Sequence, residues 1–322
     1  MINQYILSNG KLVVKNDKTD DQNFIWIDML APDKQEEDTV ENMVAIDVPT
    51  HEEMHEIEVS SRLYSENGAF YITATLITQV ETDEPESDSV TFIIKDDKLI
   101  TLRYSEPKAF SMYLGRVARG QAEPVKQGFD IFLGLMETVI DRLSDILEMI
   151  GRELDNTSKS IFQKTSANHN DTAGFQAVLV ALGRYGDLNG KLRESLLSLS
   201  RVFSYMLLSG GKYKDDSHKE ALETYAKDIS SLTEHATYVS NRVNLLLDAT
   251  LGMVNIEQNT IIKIFSVAAV VFLAPTLIAS IYDMNFEHMP ELEWLLGYPF
   301  AVGLMILSAI LPYLYFKKKG WL

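Results

Sequence analysis

IFSVAAVVFLAPTLIASIY, residues 264 to 282, contains no charged side chain, and neither does WLLGYPFAVGLMILSAILPYLYF, residues 294 to 316. A bilayer core about 30 Å thick takes roughly 20 helical residues to cross, so each run is long enough for one passage. Pro275 and Pro312 fall inside these runs, where neighbouring helices can satisfy the backbone groups that proline frees. Two such runs with polar flanks fit two membrane spans better than two buried helices of a soluble core. Lys263 precedes the first run, and Lys317, Lys318 and Lys319 follow the second. The segment between them, 283 to 293, has no Lys or Arg and carries Asp283, Glu287, Glu291 and Glu293. The positive-inside rule places both chain ends in the cytoplasm and this acidic loop outside, in a hairpin across the cell's inner (plasma) membrane.

Upstream of the first span, Leu222, Tyr225, Ile229, Leu232, Ala236, Val239, Val243 and Leu246 follow one another at alternating steps of three and four. That is a heptad seam, expected to join copies of the chain. No proline separates Lys219 from the span, so one helix of roughly 90 Å is expected to run from cytosol into membrane. A second stripe lies on another face: Asp248, Gly252, Asn255, Asn259, Ile262, Ser266, Ala269, Leu273, Thr276 and Ser280. Small-residue helix packing accounts for such a stripe. A pore lining accounts for it too, with polar ends and Leu273 closing the apolar middle by dewetting.

Further back, residues 129–154 repeat apolar positions at helical spacing, and 175–208 form a second long helix after a polar break at 165–172. Lys212 to His218 reads as a tight turn. The acidic residues Glu137, Asp141, Asp145, Glu148, Glu153 and Asp155 read as a solvated face. The first 115 residues read as mixed α and β. Asn9-Gly10 between Tyr5-Ile6-Leu7 and Leu12-Val13-Val14 signals a hairpin, and Asp96-Asp97 between 90–95 and 99–104 signals another. Phe24 to Met29 and Ala69 to Val80 are further strands, while 33–44 and 51–60 are helical, the latter capped by Thr50. Five or six strands interrupted by helices make a layered α/β domain.

The order His51-Glu52-Glu53-Met54-His55 matches the zinc-protease pattern HExxH. It sits in an acidic helix without a third ligand, so a solvated helix face is the better reading and no catalytic residue is assigned. No phosphate-binding glycine loop or nucleophile elbow occurs. The net charge of −17 argues against a nucleic-acid partner, whose phosphates require basic patches. The absence of cysteine excludes disulfides and thiolate metal sites. The opening MINQYILSNGK lacks the basic start and apolar core of a signal peptide.

The C-terminal stretch from Ile256 onward carries several spaced motifs. Tyr282, Met284, Asn285 and Phe286 come first, then Met289, Pro290, Glu291 and Leu292, then Gly297, Tyr298 and Pro299. The chain ends Tyr315, Phe316, Lys317, Lys318, Lys319, Gly320, Trp321, Leu322. In this order the motifs resemble the CorA family of divalent-cation channels, whose signature is Tyr-Gly-Met-Asn-Phe. Asp283 stands at the signature glycine, a departure that bears on ion selectivity and on transport itself.

The resemblance implies an α+β cytosolic domain (α/β layered) at 1–115 and antiparallel cytosolic helices at 116–212. A long helical stalk at 213–282 then runs into the first of two C-terminal transmembrane helices (about 262–282). The acidic loop at 283–293, the second span at 294–316 and a basic tail at 317–322 complete the chain, in a homopentameric funnel. It implies transport of Mg²⁺, with Co²⁺ and Ni²⁺ as further substrates, under control by cytosolic Mg²⁺ bound to unassigned carboxylates. The mouth would be Asp283, Met284 and Asn285. The lining would run from Asp248 through Asn255, Asn259, Ile262, Ser266, Ala269 and Leu273 to Thr276, with Glu287, Glu291 and Glu293 attracting cations. The expected partners are further copies of the chain, membrane lipid and divalent cations. A zinc or proton-coupled transporter of the same superfamily and a non-conducting membrane scaffold remain as alternatives.

The hairpin orientation gives a first test in this cysteine-free chain. A cysteine placed at 289 should react with an impermeant label from outside, and one at 320 only after permeabilisation. The opposite pattern would overturn the topology.

Overall fold

The computed structural model describes residues 1–8, 11–15, 24–56, 58–82, 84–164, 172–209, 216–285 and 289–321. The Asn9-Gly10 turn, 165–171, 212–215 and Phe286 to His288, with Glu287, lie outside the described residues. The chain divides into two units: Met1–Ser160 with Val180–Leu246, and Ile161–Leu179 with Leu247–Leu322.

In the first unit, β1 (Ile2–Ser8), β2 (Lys11–Val14), β3 (Trp26–Leu30), β4 (Leu63–Glu66), β5 (Ala69–Thr78), β6 (Glu86–Lys95) and β7 (Lys98–Arg103) form one seven-stranded sheet. Its order is β2-β1-β3-β7-β6-β5-β4, with β3 and β7 parallel and every other pair antiparallel. β4, which sequence reading missed, turns into β5 through Asn67 (φ 47°) and Gly68 (φ 80°). Positive φ at both central residues defines a tight hairpin turn that suits the twist of the strands.

Helices α1 (Lys34–Val44), α2 (His51–Met54) and α3 (Val59–Arg62) accompany the strands. Asp33 and Glu36 form a reciprocal capping box on α1, as Thr50 and Glu53 do on α2. The helix expected over 51–60 breaks after one turn. The His55 and Glu56 N–H groups reach back only three residues, to Glu52 and Glu53, which tightens and ends the turn. Met54 is by then buried in the core with Ile27, Val40, Tyr71 and Ile100.

The other face of the sheet packs against α4 (Lys108–Ala118) and α5 (Gly128–Lys164). Phe92 meets Phe132 edge-on at 5.5 Å, and Trp26 meets Tyr113 at 6.3 Å. Here the parallel junction carries a buried polar network. Arg103 grips both carboxylate oxygens of Asp28, Thr101 donates to Asp28, and the Trp26 indole donates to Thr101. Every group has a partner, which is what makes such a charge pair tolerable in a core.

Helices α6 (Thr172–Leu208) and α7 (Asp216–Tyr282) follow. Beyond Ile72, β5 has no strand on its outer side among the described residues. Serines one turn apart on α6 take that place: Ser195 donates to the Thr75 carbonyl and Ser198 accepts from the Thr75 N–H. An exposed strand edge is thereby closed.

α7 runs antiparallel to α6 and parallel to α5. Asn189 of α6 donates to the Ala236 carbonyl and to Ser240, Phe203 packs on Tyr225, and Asp155 of α5 pairs with Arg242. His218 binds Asp130 at 2.8 Å at the start of both helices. These contacts correct the role expected of the heptad seam. Leu222, Ile229, Ala236, Val239, Val243 and Leu246 are already buried within one chain. Periodicity reported a covered face correctly, but the cover is this chain's own three-helix bundle.

The second unit contains the rest of α7, a 3₁₀ turn at Pro290–Leu292, and α8 (Gly297–Lys318). Only 6% of the most apolar 18-residue stretch of each helix is buried, so neither is the core helix of a soluble domain.

Because the seam is internal, Leu246→Ala should destabilise the cytosolic bundle by about 2–5 kcal/mol, the range for emptying a packed leucine site. The check is thermal unfolding of the detergent-solubilised protein. Unchanged unfolding with a smaller particle mass would return the seam to the interface between copies.

Candidate functional site

From Leu247 onward α7 presents two contrasting sides. At 100° per residue, Thr250, Met253, Glu257, Thr260, Val267, Val271, Ala274 and Ile278 share one side, and each is buried or half-buried. Asp248, Gly252, Asn255, Asn259, Ile262, Ser266, Ala269, Leu273, Thr276 and Ser280 lie on the opposite side, and all ten are exposed. The stripe singled out from sequence is thus uncovered, together with bulky apolar neighbours such as Phe265, Phe272 and Leu277.

The hydroxyls on this stripe have a defined polarity. Ser266 donates to the Ile262 carbonyl at 2.8 Å, and Thr276 donates to the Phe272 carbonyl at 2.7 Å. A carbonyl oxygen can only accept, so each hydroxyl spends its proton on its own helix and keeps its lone pairs for an outside donor or a cation. Leu273, 71% exposed, is the large apolar residue between these two hydroxyls. The stripe therefore sets an exposed leucine between two oxygen acceptors.

At the end of α7, Asp283, Met284 and Asn285 are all exposed. The Asp283 N–H still donates to the Ala279 carbonyl at 3.0 Å, four residues back, while Met284 reaches Ile281 in a tighter turn. The backbone at the glycine position of the signature is not left-handed. Ala31, Ala45, Asn67, Gln79 and Asp96 have positive φ among the described non-glycine residues, and Asp283 does not join them. Helical hydrogen bonding carried through Asp283 gives it an ordinary conformation, so no backbone cost attaches to its side chain.

The remainder of the loop is tightly built. Pro290 opens the 3₁₀ turn, where its missing N–H costs nothing. Glu291 and Glu293 are exposed. The Glu291 carbonyl receives Trp294 N–H, and the Trp294 carbonyl receives Gly297 N–H at 2.9 Å. A Cβ on Gly297 would stand 2.1 Å from the Glu291 carbonyl oxygen, so no side chain fits there without movement. That contact joins the Met-Pro-Glu-Leu and Gly-Tyr-Pro motifs, and sequence reading saw the motifs without the reason for their spacing.

His51 and His55 do not converge on a common point. His55 Nδ1 meets the His51 carbonyl and its Nε2 faces Asp88 at 3.3 Å, while His51 packs edge-on against Tyr104. Among the described residues no three His, Asp or Glu side chains are grouped to hold a metal ion. In the first unit Asp141 is paired with Arg116, and Asp155 with Arg242. Burial, and next the Asp141 carboxylate, push the Glu137 carboxyl up from its ordinary value, with Arg116 opposing.

The loop contact is open to test. Gly297→Ala should lower the stability of the detergent-solubilised protein by about 1–3 kcal/mol, the range for overpacking. Gly303→Ala, with open space around it, should leave stability unchanged or slightly raised. Equal behaviour of the two variants would remove the constraint.

Comparison with known proteins agrees with this arrangement. The sequence profile described as "CorA-like Mg2+ transporter protein" matches residues 21–318. The chain is 36% identical over 324 residues to the Magnesium transport protein CorA of Yersinia pseudotuberculosis, with 100% of each chain covered. It is 38% identical over 304 residues to that of Escherichia coli K12, covering 93% of this chain and 92% of the relative. The fold matches the complete structure of the CorA magnesium transporter from Methanocaldococcus jannaschii with a TM-score of 0.80. The sequence identity there is 18%, and 100% of this chain and 99% of that one are covered. With two membrane-length helices behind a mixed-sheet body and a profile match along nearly the whole chain, the protein belongs to the CorA-like Mg2+ transporter family.

Proposed function

We propose that this chain is one subunit of an oligomeric channel in the inner membrane that carries Mg²⁺ toward the cytoplasm. The observation that supports it most directly is the uncovered stripe of α7 opposite the side that the chain itself covers. Ser266 and Thr276 place hydroxyls inside the first span, where polar groups are better set against protein or water than lipid, and Asn255 and Asn259 continue the stripe on its cytosolic side. Around a shared axis between copies they line a water-filled path, and one hairpin per subunit cannot enclose such a path alone. The similarity to magnesium transport proteins over the full length supports the same ion, and the family resemblance supports five copies.

Mg²⁺ dehydrates reluctantly and is best handled through its retained waters. Asn285 carbonyl oxygens from several subunits accept hydrogen bonds from such a hydrated ion. Glu287, Glu291 and Glu293 raise the local cation concentration outside. Within the path, the lone pairs of Ser266 and Thr276 accept from the ion's water shell, and a ring of Leu273 side chains closes it by dewetting. Co²⁺ and Ni²⁺ carry the same charge and hydrate similarly, which supports them as further substrates.

Cytosolic Mg²⁺ acts on this reading as a regulator as well as cargo. The carboxylates that bind it are unassigned. Binding to one conformation alone holds the channel in that conformation.

Purified protein in proteoliposomes should take up Mg²⁺ down its gradient, and Leu273→Asn should raise the resting leak by wetting the constriction. Zn²⁺ uptake driven by a proton gradient with no Mg²⁺ uptake would replace the channel with the coupled transporter. For regulation, the cytosolic part should resist protease at millimolar Mg²⁺ and lose that protection in chelator. Equal digestion in both would remove the regulatory role and leave the pore.

A further inference from the structure

Lys317, Lys318 and Lys319 are the one place where three basic residues stand in a row, in a chain of net charge −17. No Asp or Glu occurs from 294 to 322, nor from 258 to 282, where Lys263 precedes the first span. The cytosolic ends of both spans therefore hold basic charge without acid. All four lysines are exposed, and none pairs with a carboxylate among the described residues.

The end of α8 that carries them has a defined shape. Gly320, at φ 71°, takes the left-handed backbone. Its N–H donates to the Lys317 carbonyl and the Trp321 N–H to the Phe316 carbonyl, both at 3.1 Å. These two bonds make a Schellman ending, and its apolar contact is present as well: Trp321 stacks on Phe316 with ring centroids 5.1 Å apart. The indole is folded back against the last turn of the span, at the level where Trp sits in a membrane interface. In the same turn the Lys317 ammonium stands 5.9 Å over the Tyr313 ring, and that of Lys319 5.4 Å over Tyr315. Two residues are about 200° of helix, so the two Lys–Tyr pairs lie on opposite sides of α8.

An ammonium over an aromatic face keeps N–H donors on its outer side, and each Tyr brings a phenol O–H to the same side of the helix. Such donors, with positive charge and no carboxylate to meet them, match the oxygens of a phosphodiester. We infer that the cytosolic end of α8 binds anionic phospholipid of the cytoplasmic leaflet, each Lys–Tyr pair taking one headgroup phosphate beside the interfacial Trp321. Membrane lipid fits better than a soluble phosphate, because both pairs sit on the last turn of an apolar span. Leu311 and Leu314, 57% and 53% exposed, stand next to them for the acyl chains. A zwitterionic headgroup carries its own cation beside the phosphate, so net-negative headgroups are preferred. The site depends on the orientation of the hairpin and is independent of what the path carries.

The test titrates detergent-solubilised full-length protein with phosphatidylglycerol and, separately, with phosphatidylcholine of the same chains, counting bound lipid by native mass spectrometry. The parent should bind phosphatidylglycerol more tightly, and equal binding of the two lipids would overturn the site. The double variant Lys317→Gln, Lys319→Gln should weaken phosphatidylglycerol at least about tenfold, on the scale of about fivefold for each lysine near an anionic surface. Unchanged binding in that variant would overturn the assignment to these lysines. If the double variant does not yield intact protein, Lys317→Gln and Lys319→Gln singly, each about fivefold weaker, decide in its place. Replacing both lysines by Arg should keep the preference, and its loss there would show that charge is not the cause. Lys318→Gln, outside both Tyr pairs, should weaken binding less than either single variant. An equal loss would mark diffuse attraction and remove the Lys–Tyr sites. Millimolar inorganic phosphate should leave the bound lipid in place, and displacement by it would assign the pairs to a soluble phosphate instead.

Discussion

A helix can commit each of its sides once, and α7 commits its two sides to different tasks. As far as Leu246 one side is buried against the chain's own bundle, through Leu222, Ile229, Ala236, Val239 and Val243. Beyond it, Thr250, Val267 and their neighbours stay covered while Asp248 to Ser280 on the other side stays open. In water an uncovered side is unremarkable, because solvent satisfies it. In a bilayer the same side carries Ser266 and Thr276 into hydrocarbon, where polar side chains are better placed against protein or a hydrated cavity. The proposed oligomer and path answer that one conflict, since further copies would cover the stripe and water would reach it.

The body that carries α7 is closed by its own means and needs none of this. Its sheet is pinned at the parallel junction by the Asp28–Arg103 pair with Thr101 and Trp26, and its long edge is sealed by Ser195 and Ser198 of α6. Gly128 allows α5 to start against the backbone of Lys98 and Leu99, where a Cβ would stand 2.3 Å from the Leu99 nitrogen. Gly134 likewise admits the Tyr113 ring. Within this body α5 and α6 bury the seam of α7.

Local signals in the sequence gave the parts with a local cause. The hairpins at 5–14 and 90–104, the cap at Thr50 and the two apolar spans each depend on a few adjacent residues, and each was legible. Tertiary causes were not. β4 carries no alternation of its own and exists because β5 offers it an edge. The helix over 51–60 stops at Met54 because one turn suffices to bury that side chain. The seam announced a buried side of α7, yet spacing cannot say whether a helix of the same chain or of another copy lies against it. Ser195 and Ser198 look like ordinary helix-surface serines until β5 is placed beside them. At the candidate site, the residues of the stripe were readable from their steps, but the extent of helical hydrogen bonding at Asp283 was not.

That end point also explains why this chain tolerates a departure from the family signature at 283 while keeping glycine at 297. At 283 the backbone is helical and the side chain points into open surroundings, so an L residue enters without strain and changes only the electrostatics of the stripe. At 297 the Glu291 carbonyl occupies the place of a Cβ, and a substitution would move the turn that carries Glu291 and Glu293. The two glycine positions of the signature therefore answer to different physics. One is a steric requirement that holds the loop to α8, and the other is a place where the backbone admits a charged side chain without altering how the hairpin is built.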